Sequence, residues 1–315
     1  MDITAIALGI ALVSTRTFPT PQQAPPPVQN IAQPVNRDAF IVPAEVATIL
    51  ERPELKSATI GILATYLETG KPIVRIYANR ACMPASNQKL FTAAAGLQLL
   101  GPDYKWSTVL AVNGSTLHVT FDGDPLLTRA QLAQAIASVK DKLTVPITQI
   151  AIDDSRIQGD HLGIAWQWDD IGLGFSAPIG AATIDKNVVK VTVTPPASVS
   201  APPSIDVADG ILAIRATTTV SEVRPSGVNQ QERPTPLKIS RNPLRPEVEV
   251  SGTLVAGDKP ITATVAIDNP TDAAFRILTS VLRDSGVPTA PNIQYARRPR
   301  VAADVLLTTI ASRPL

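Results

Sequence analysis

The sequence predicts an α/β fold on three observations: a strand hairpin running straight into an alanine-rich helix, a long middle stretch of short Val/Thr/Ile strands, and a capped amphipathic helix near the end. Size agrees with that class. A chain of 315 residues with 44 % apolar content can bury a sizeable core, and its length suggests two domains more readily than one.

The first element expected is the hairpin. Thr59–Leu67 (TIGILATYL) reads as a buried strand, Glu68-Thr69-Gly70-Lys71 as a turn and Pro72–Tyr77 (PIVRIY) as the returning strand. After Pro84, Ser86–Leu100 carries Leu90, Ala93, Ala94, Leu97 and Leu100 at helical spacing, with Gly101 as its stop. Alanines at 93, 94 and 95 predict close packing of that helix. A second hairpin turns at Asn113-Gly114, the pair that a type I′ turn favours. Thr128 and Gln131 then form a capping box for a helix whose Leu132, Ile136, Val139 and Leu143 share one face. From about Ile147 to Ile267, short strand-like segments separated by Pro and Gly predict a β-rich insertion. Asn269 as cap and Pro270 in the first turn open a last helix, lined by Ala274, Ile277, Leu278, Val281 and Leu282 and ended by Gly286.

The two ends of the composition scale are also informative. A net charge of +1 with 17 % charged residues gives no electrostatic footprint for a phosphate backbone, so nucleic acid is not expected as a partner. Cys82, the single cysteine, excludes an intrachain disulfide and a thiolate zinc site. The apolar run Ile3–Val13 suits the core of a secretory signal, is too short to span a bilayer, and lacks a preceding Lys or Arg. Residues 1–17 are thus a candidate signal or anchor segment, which would tether the protein to a membrane. Residues 18–44, rich in Pro and Gln, form a linker.

Chemistry concentrates at Pro84-Ala85-Ser86-Asn87-Gln88-Lys89. Ser86 and Lys89 lie three residues apart at a predicted helix start, so their side chains share one face and can meet. A serine hydroxyl needs a base to become nucleophilic, and a lysine serves only when burial or neighbouring positive charge keeps it neutral. The helix N-terminus adds partial positive charge, which favours both a neutral lysine and a developing oxyanion. By itself Ser-x-x-Lys is a weak signal, since serine at a helix start is common for structural reasons.

The surroundings make it specific. Thr59–Trp106, with its Thr69-Gly70-Lys71 turn, Pro84-Ala85-Ser86 and Lys89-Leu90, then Leu100-Gly101, Tyr104 and Trp106, resembles the low-molecular-mass class C penicillin-binding proteins, the D-alanyl-D-alanine carboxypeptidase/endopeptidase family. The likeness continues through Asp122–Leu127, Asp153-Asp154-Ser155, Trp166–Trp168, Phe175–Pro178, Asn187, Ile239–Arg241, Val250–Thr253 and Asp268–Gly286. It implies a penicillin-binding, β-lactamase-like transpeptidase fold interrupted by a β-rich insert. Residues 45–121 would be the first part of the catalytic domain, 122–267 the insert and 268–315 the return to the catalytic domain. It further implies that Ser86 is acylated by peptidoglycan stem peptides with Lys89 as general base, that the backbone N–H of Ser86 is one oxyanion donor, that β-lactams inhibit by acylating the same serine, that no cofactor is used, and that the protein works outside the cytoplasm.

That family completes its site with Ser-x-Asn and Lys-Thr-Gly motifs. No Lys-Thr-Gly occurs here, and Ser240-Arg241-Asn242 fits the other pattern only by coincidence, within the insert. Ala311–Leu315 resembles the segment that precedes the missing motifs, so the expectation is a truncated chain whose own catalysis is weak or absent, with exposed apolar helix faces. A non-catalytic wall-binding homologue is the alternative; a β-lactamase or esterase using the same pair is a third reading. The bland readings of other residues are a buried, unreactive thiol for Cys82, capping roles for Asp153, Asp154, Asp169 and Asp170 in place of metal binding with His161, turn roles for Asp122 and Asp124 in place of an acid/base pair, and packing roles for Trp166 and Trp168.

Overall fold

The computed structural model of the chain describes residues 40–221 and 237–315. The expected signal segment and residues 18–39 of the linker fall outside the described residues. The chain divides into two compact units, one ending at Gly101 and the other starting at Pro102.

The first unit is small. Helix α1 (Ala44–Leu50) precedes strands β1 (Ile62–Thr65) and β2 (Pro72–Ile76), which pair antiparallel with Ile62 opposite Ile76 and Leu63 opposite Arg75. The expected turn sits between them, and Gly70 takes the left-handed backbone (φ 66°) that its Tyr66–Lys71 closure requires. Helix α2 (Gln88–Leu100) follows a 3₁₀ turn at Ala85–Asn87, and Gly101 (φ 83°) ends it as expected. One expectation fails here. No residue of α2 is buried: Leu90, Phe91 and Leu99 are 70 %, 68 % and 81 % exposed. Its alanines at 93, 94 and 95 are exposed, and Val74 and Ile76 are the unit's buried apolar side chains among the described residues.

The second unit holds the core. Strands β3 (Ser107–Asn113) and β4 (Thr116–Thr120) form the hairpin, with Gly114 at φ 57° in its turn. Helix α3 (Arg129–Val139) opens on the capping box, where Thr128 Oγ1 accepts from the Gln131 N–H and Gln131 Oε1 accepts from the Thr128 N–H. Strand β5 (Ile147–Asp153) runs parallel to β4. Next come β6 (Val188–Thr194), β7 (Ser204–Val207), β8 (Ala213–Ser221), β9 (Leu237–Arg241), β10 (Glu247–Val255) and β11 (Ile261–Ala266). Helix α4 (Pro270–Asp284), capped by Asn269, leads to β12 (Thr289–Arg297) and β13 (Val305–Ala311).

These strands make a five-stranded mixed sheet in the order β12-β5-β4-β3-β13 and two three-stranded sheets, β8-β10-β9 and β11-β6-β7. Helices α3 and α4 pack with the larger sheet: Leu132, Ile136, Ala274, Ile277, Leu278 and Leu282 share a core with Leu110, Leu117, Val119, Ile150 and Ile152. The α/β class is thus realised, with β-rich sheets over 188–266. The boundaries read from sequence at 121/122 and 267/268 both fall inside this second unit. Residues 268–315, expected to resume the first part, supply α4 and the two edge strands of the sheet that β3, β4 and β5 build. The physical reason is pairing: β12 lies parallel on β5 and β13 antiparallel on β3, a partnership between segments far apart in sequence.

Candidate active site

The site is built from the stretch that joins β2 to α2. Immediately after β2, Tyr77 turns the chain with a left-handed φ of 42°; its ring lies 4.1 Å under the Arg80 guanidinium and edge-on to Phe40 at 4.9 Å. Gly61, just before β1, makes room for this turn, because a Cβ there would stand 3.1 Å from the Tyr77 carbonyl oxygen and 3.8 Å from Cys82 Sγ. The chain then reaches Ala85, which also has a left-handed φ, 44°, a costly conformation for a residue with a Cβ. Ser86 follows it at once.

From that turn Ser86 and Lys89 project together. The Lys89 ammonium nitrogen Nζ stands 3.3 Å from Ser86 Oγ, a contact across one turn between residues that straddle the start of α2. Helical spacing brings the pair together as the sequence requires. Both residues are exposed. The Asn87 N–H donates to the Pro84 carbonyl at 2.9 Å and closes the turn.

Other residues singled out from sequence do separate work. Cys82 is exposed, against the expected buried thiol, because it sits in an exposed turn between β2 and α2. Ser240 lies in β9, and Arg241 and Asn242 are tied within the second unit: Arg241 Nε donates to the Ala266 carbonyl at 2.8 Å, and Asn242 Nδ2 to Glu249 Oε1 at 2.8 Å. Asp124 accepts from the Leu126 N–H at 2.8 Å and Asp153 from Ser155, both turn roles, while Asp122 pairs with Arg156 at 3.1 Å. Asp154 goes further than a cap. Its carboxylate is buried, accepts from Arg297 Nε at 2.7 Å and from the Thr271 hydroxyl, and so joins the end of β5 to β12 and to the first turn of α4. His161 Nδ1 faces the Ile179 carbonyl at 2.7 Å. Trp166 packs over Gly163, where a Cβ would stand 2.4 Å from its Nε1, whereas Trp168 is 57 % exposed and therefore no core residue. Among the described residues no group of His, Cys, Asp and Glu could hold a metal ion. Sequence reasoning missed the strained residue at 85: alanine carries no signal for a left-handed φ, which glycine or asparagine would have given.

The first unit thus presents a strand hairpin feeding a helix that opens on a Ser/Lys pair. Comparison with known proteins fixes the family. Residues 42–315 match the model of the D-Ala-D-Ala carboxypeptidase 3 (S13) family, and the chain belongs to it. It is 28 % identical over 269 residues to a D-alanyl-D-alanine carboxypeptidase of Actinomadura sp. (strain R39), a match that covers 77 % of this chain and 47 % of that protein. It is also 30 % identical over 141 residues to the D-alanyl-D-alanine carboxypeptidase DacB of Haemophilus influenzae, across 42 % of this chain and 29 % of the relative. The chain spans about half the length, or less, of these curated relatives. Among solved structures, penicillin binding protein 4 (dacB) from Haemophilus influenzae superposes with a TM-score of 0.64 at 26 % identity, covering 81 % of this chain and 56 % of that one. The same protein complexed with a β-lactam gives a TM-score of 0.58 at 24 % identity, over 81 % of this chain and 55 % of that one.

Proposed function

We propose that the chain carries the nucleophilic half of a serine-type D-alanyl-D-alanine carboxypeptidase site, with Ser86 as nucleophile and Lys89 as its base. The observation that carries this reading is the 3.3 Å approach of Lys89 Nζ to Ser86 Oγ at the start of α2. In an acyl transfer, the neutral lysine takes the hydroxyl proton as Oγ attacks the carbonyl of the penultimate D-alanine of a peptidoglycan stem peptide. The C–N bond then breaks, the terminal D-alanine leaves with a proton, and the acyl group stays on Ser86 until water hydrolyses the ester. The Ser86 N–H would serve as one oxyanion donor, a role the family resemblance supports. A β-lactam amide would acylate the same oxygen. Such a substrate lies outside the cytoplasm, and the N-terminal apolar segment suits export or a membrane tether; among the described residues, no helix is long and apolar enough to cross a membrane.

Exposure of Lys89 and the absence of Lys-Thr-Gly from the 315 residues bear on rate. Family members use that motif, by the resemblance above, to hold the substrate carboxylate, so turnover by these residues alone is expected to be slow. Incubation with a fluorescent penicillin tests the assignment. Serine-dependent labelling, lost in Ser86→Ala and slowed about 100-fold or more in Lys89→Gln, is the expected result for a residue giving general-base catalysis. Equal labelling of the wild type and Ser86→Ala overturns the nucleophile, and a folded protein that never labels favours a wall-binding homologue without chemistry.

A further inference from the structure

Within the second unit, α4 and the segment Gly210-Ile211 border an open surface cleft of about 300 Å³. Its walls are Phe275, Arg276, Thr279, Ser280, Arg283 and Asp284. None of them belongs to the Ser/Lys site. The positions 276, 279, 280 and 283 recur at helical spacing, so one face of α4 supplies two guanidiniums and two hydroxyls to the same space.

A charge count distinguishes these groups. Asp284 is matched by Arg129 at 2.9 Å and accepts from the Ser280 hydroxyl at 3.1 Å. Arg276 is matched by Asp268 at 3.8 Å and donates to the Ile211 carbonyl, which fixes it along the cleft wall. Arg283 donates only to the Pro291 carbonyl, at 3.0 Å, and has no carboxylate partner among the described residues. The Thr279 hydroxyl, one helical turn before it, is buried and without a hydrogen-bond partner among those residues. An unpaired buried hydroxyl is costly and is the kind of group that a ligand oxygen satisfies. Phe275, edge-on to Tyr295 at 5.4 Å, gives the cleft an apolar wall.

We infer that this cleft binds a small carboxylate-bearing ligand, its carboxylate on Arg283 and Thr279 and its apolar part against Phe275 and Ile211. A planar guanidinium matches a carboxylate in a two-bond fork. Among the described residues Arg283 is the cleft's unmatched positive charge and is neutralised by one carboxylate, whereas a phosphate ester, at about −1.5 to −2, would leave excess negative charge beside Asp284. The Thr279 hydroxyl is closed off from solvent, so the ligand reaches it only when the side chain turns toward the cleft, and the Thr279→Val variant reads that contact.

Phenylacetate, phenyl phosphate and the uncharged phenylacetamide, titrated calorimetrically into the full chain at constant ionic strength, test this inference. Phenylacetate is expected to bind saturably in the millimolar range, about ten-fold more weakly in Arg283→Gln and several-fold more weakly in Thr279→Val, with phenylacetamide not binding. The glutamine keeps a donor for the Pro291 carbonyl, and the valine keeps the shape of threonine, so circular dichroism should be unchanged in both. Absence of saturable phenylacetate binding, equal affinity in the wild type and both variants, or tighter binding of phenyl phosphate overturns the inference. Penicillin labelling of Ser86 reports on a different unit and stands or falls separately.

Discussion

Asp304 shows how one carboxylate can make stability depend on pH. It precedes β13, its side chain is shut off from solvent, and it accepts from Arg298 at 3.0 and 3.1 Å, from the Val301 N–H at 2.8 Å and from the Asn113 amide at 3.3 Å. The Arg298 guanidinium, then the Val301 N–H and Asn113, hold its carboxyl well below the usual carboxylate range against the opposing cost of burial. A carboxylate whose folded value is depressed contributes stability that is fully present above its unfolded value, near 3.8, and is lost as pH falls below that toward the folded value. Asp304→Asn should therefore cost about 2 kcal/mol near neutrality, with the gap between the two proteins closing as pH falls below about 4. Urea unfolding midpoints measured from pH 7 to pH 3 check this; a gap that stays constant with pH would mean that the lost contacts are not ionic. Ser86 is the opposite kind of residue. Its side chain makes one contact among the described residues, with Lys89, and the strained Ala85 before it is exposed, with no burial to offset its left-handed φ.

Two helices of similar length make contrasting expectations at the scale of elements. Helix α3 buries Leu132, Ile136 and Val139, while α2 buries nothing. Leu132→Ala should then cost about 2–5 kcal/mol through lost burial and a cavity, and Leu99→Gln on α2 less than about 0.5 kcal/mol. Paired urea melts measure both, and a large cost for Leu99→Gln would show that α2 is covered in solution. Exposed Leu90, Phe91 and Leu99 also make α2 the expected binder of hydrophobic dyes. The same contrast marks what the sequence could reveal. Thr128 with Gln131, Asn113-Gly114 and Asn269-Pro270 act within a few residues of themselves, so their cap, turn and cap were legible before any coordinates. The Ser86–Lys89 approach was legible for the same reason, because three residues on a helix fix it. The buried link from Asp154 to Thr271 and Arg297 spans more than a hundred positions, and the pairing of β12 with β5 is equally remote. Local pattern says nothing of partners at that distance, so the strand partners of 268–315, β3 for β13 and β5 for β12, could not be read from the sequence. Burial of α2 was also misread, since an alanine run records a tendency to pack without naming what it packs against.

At the scale of the whole molecule, the apolar core is confined to one unit. Every residue of the connected buried cluster, from Leu110 to Val287, lies after Pro102. That unit closes three sheets and two helices around the cluster, and its first and last strands, β3 and β13, are hydrogen-bonded to each other, so its ends are tied by backbone pairing. The first unit has a two-stranded hairpin, which is marginal in water on its own, and few buried side chains. Stability should therefore divide unequally. A protein of residues 102–315 alone is expected to unfold in one cooperative urea transition and to keep the circular dichroism of its sheets, because cutting at Gly101 removes none of the core and interrupts no strand pair. Residues 40–101 alone are expected to show little structure and no cooperative transition, since a chain of that size needs a core that these residues do not bury. Failure of 102–315 to fold, or a cooperative transition in 40–101, would mean that the two units depend on each other for stability. If the division holds, the Ser/Lys turn rides on the least stable part of the chain. Its geometry would then be lost at urea concentrations that leave the five-stranded sheet intact, and penicillin labelling of Ser86 should vanish before the main far-ultraviolet transition.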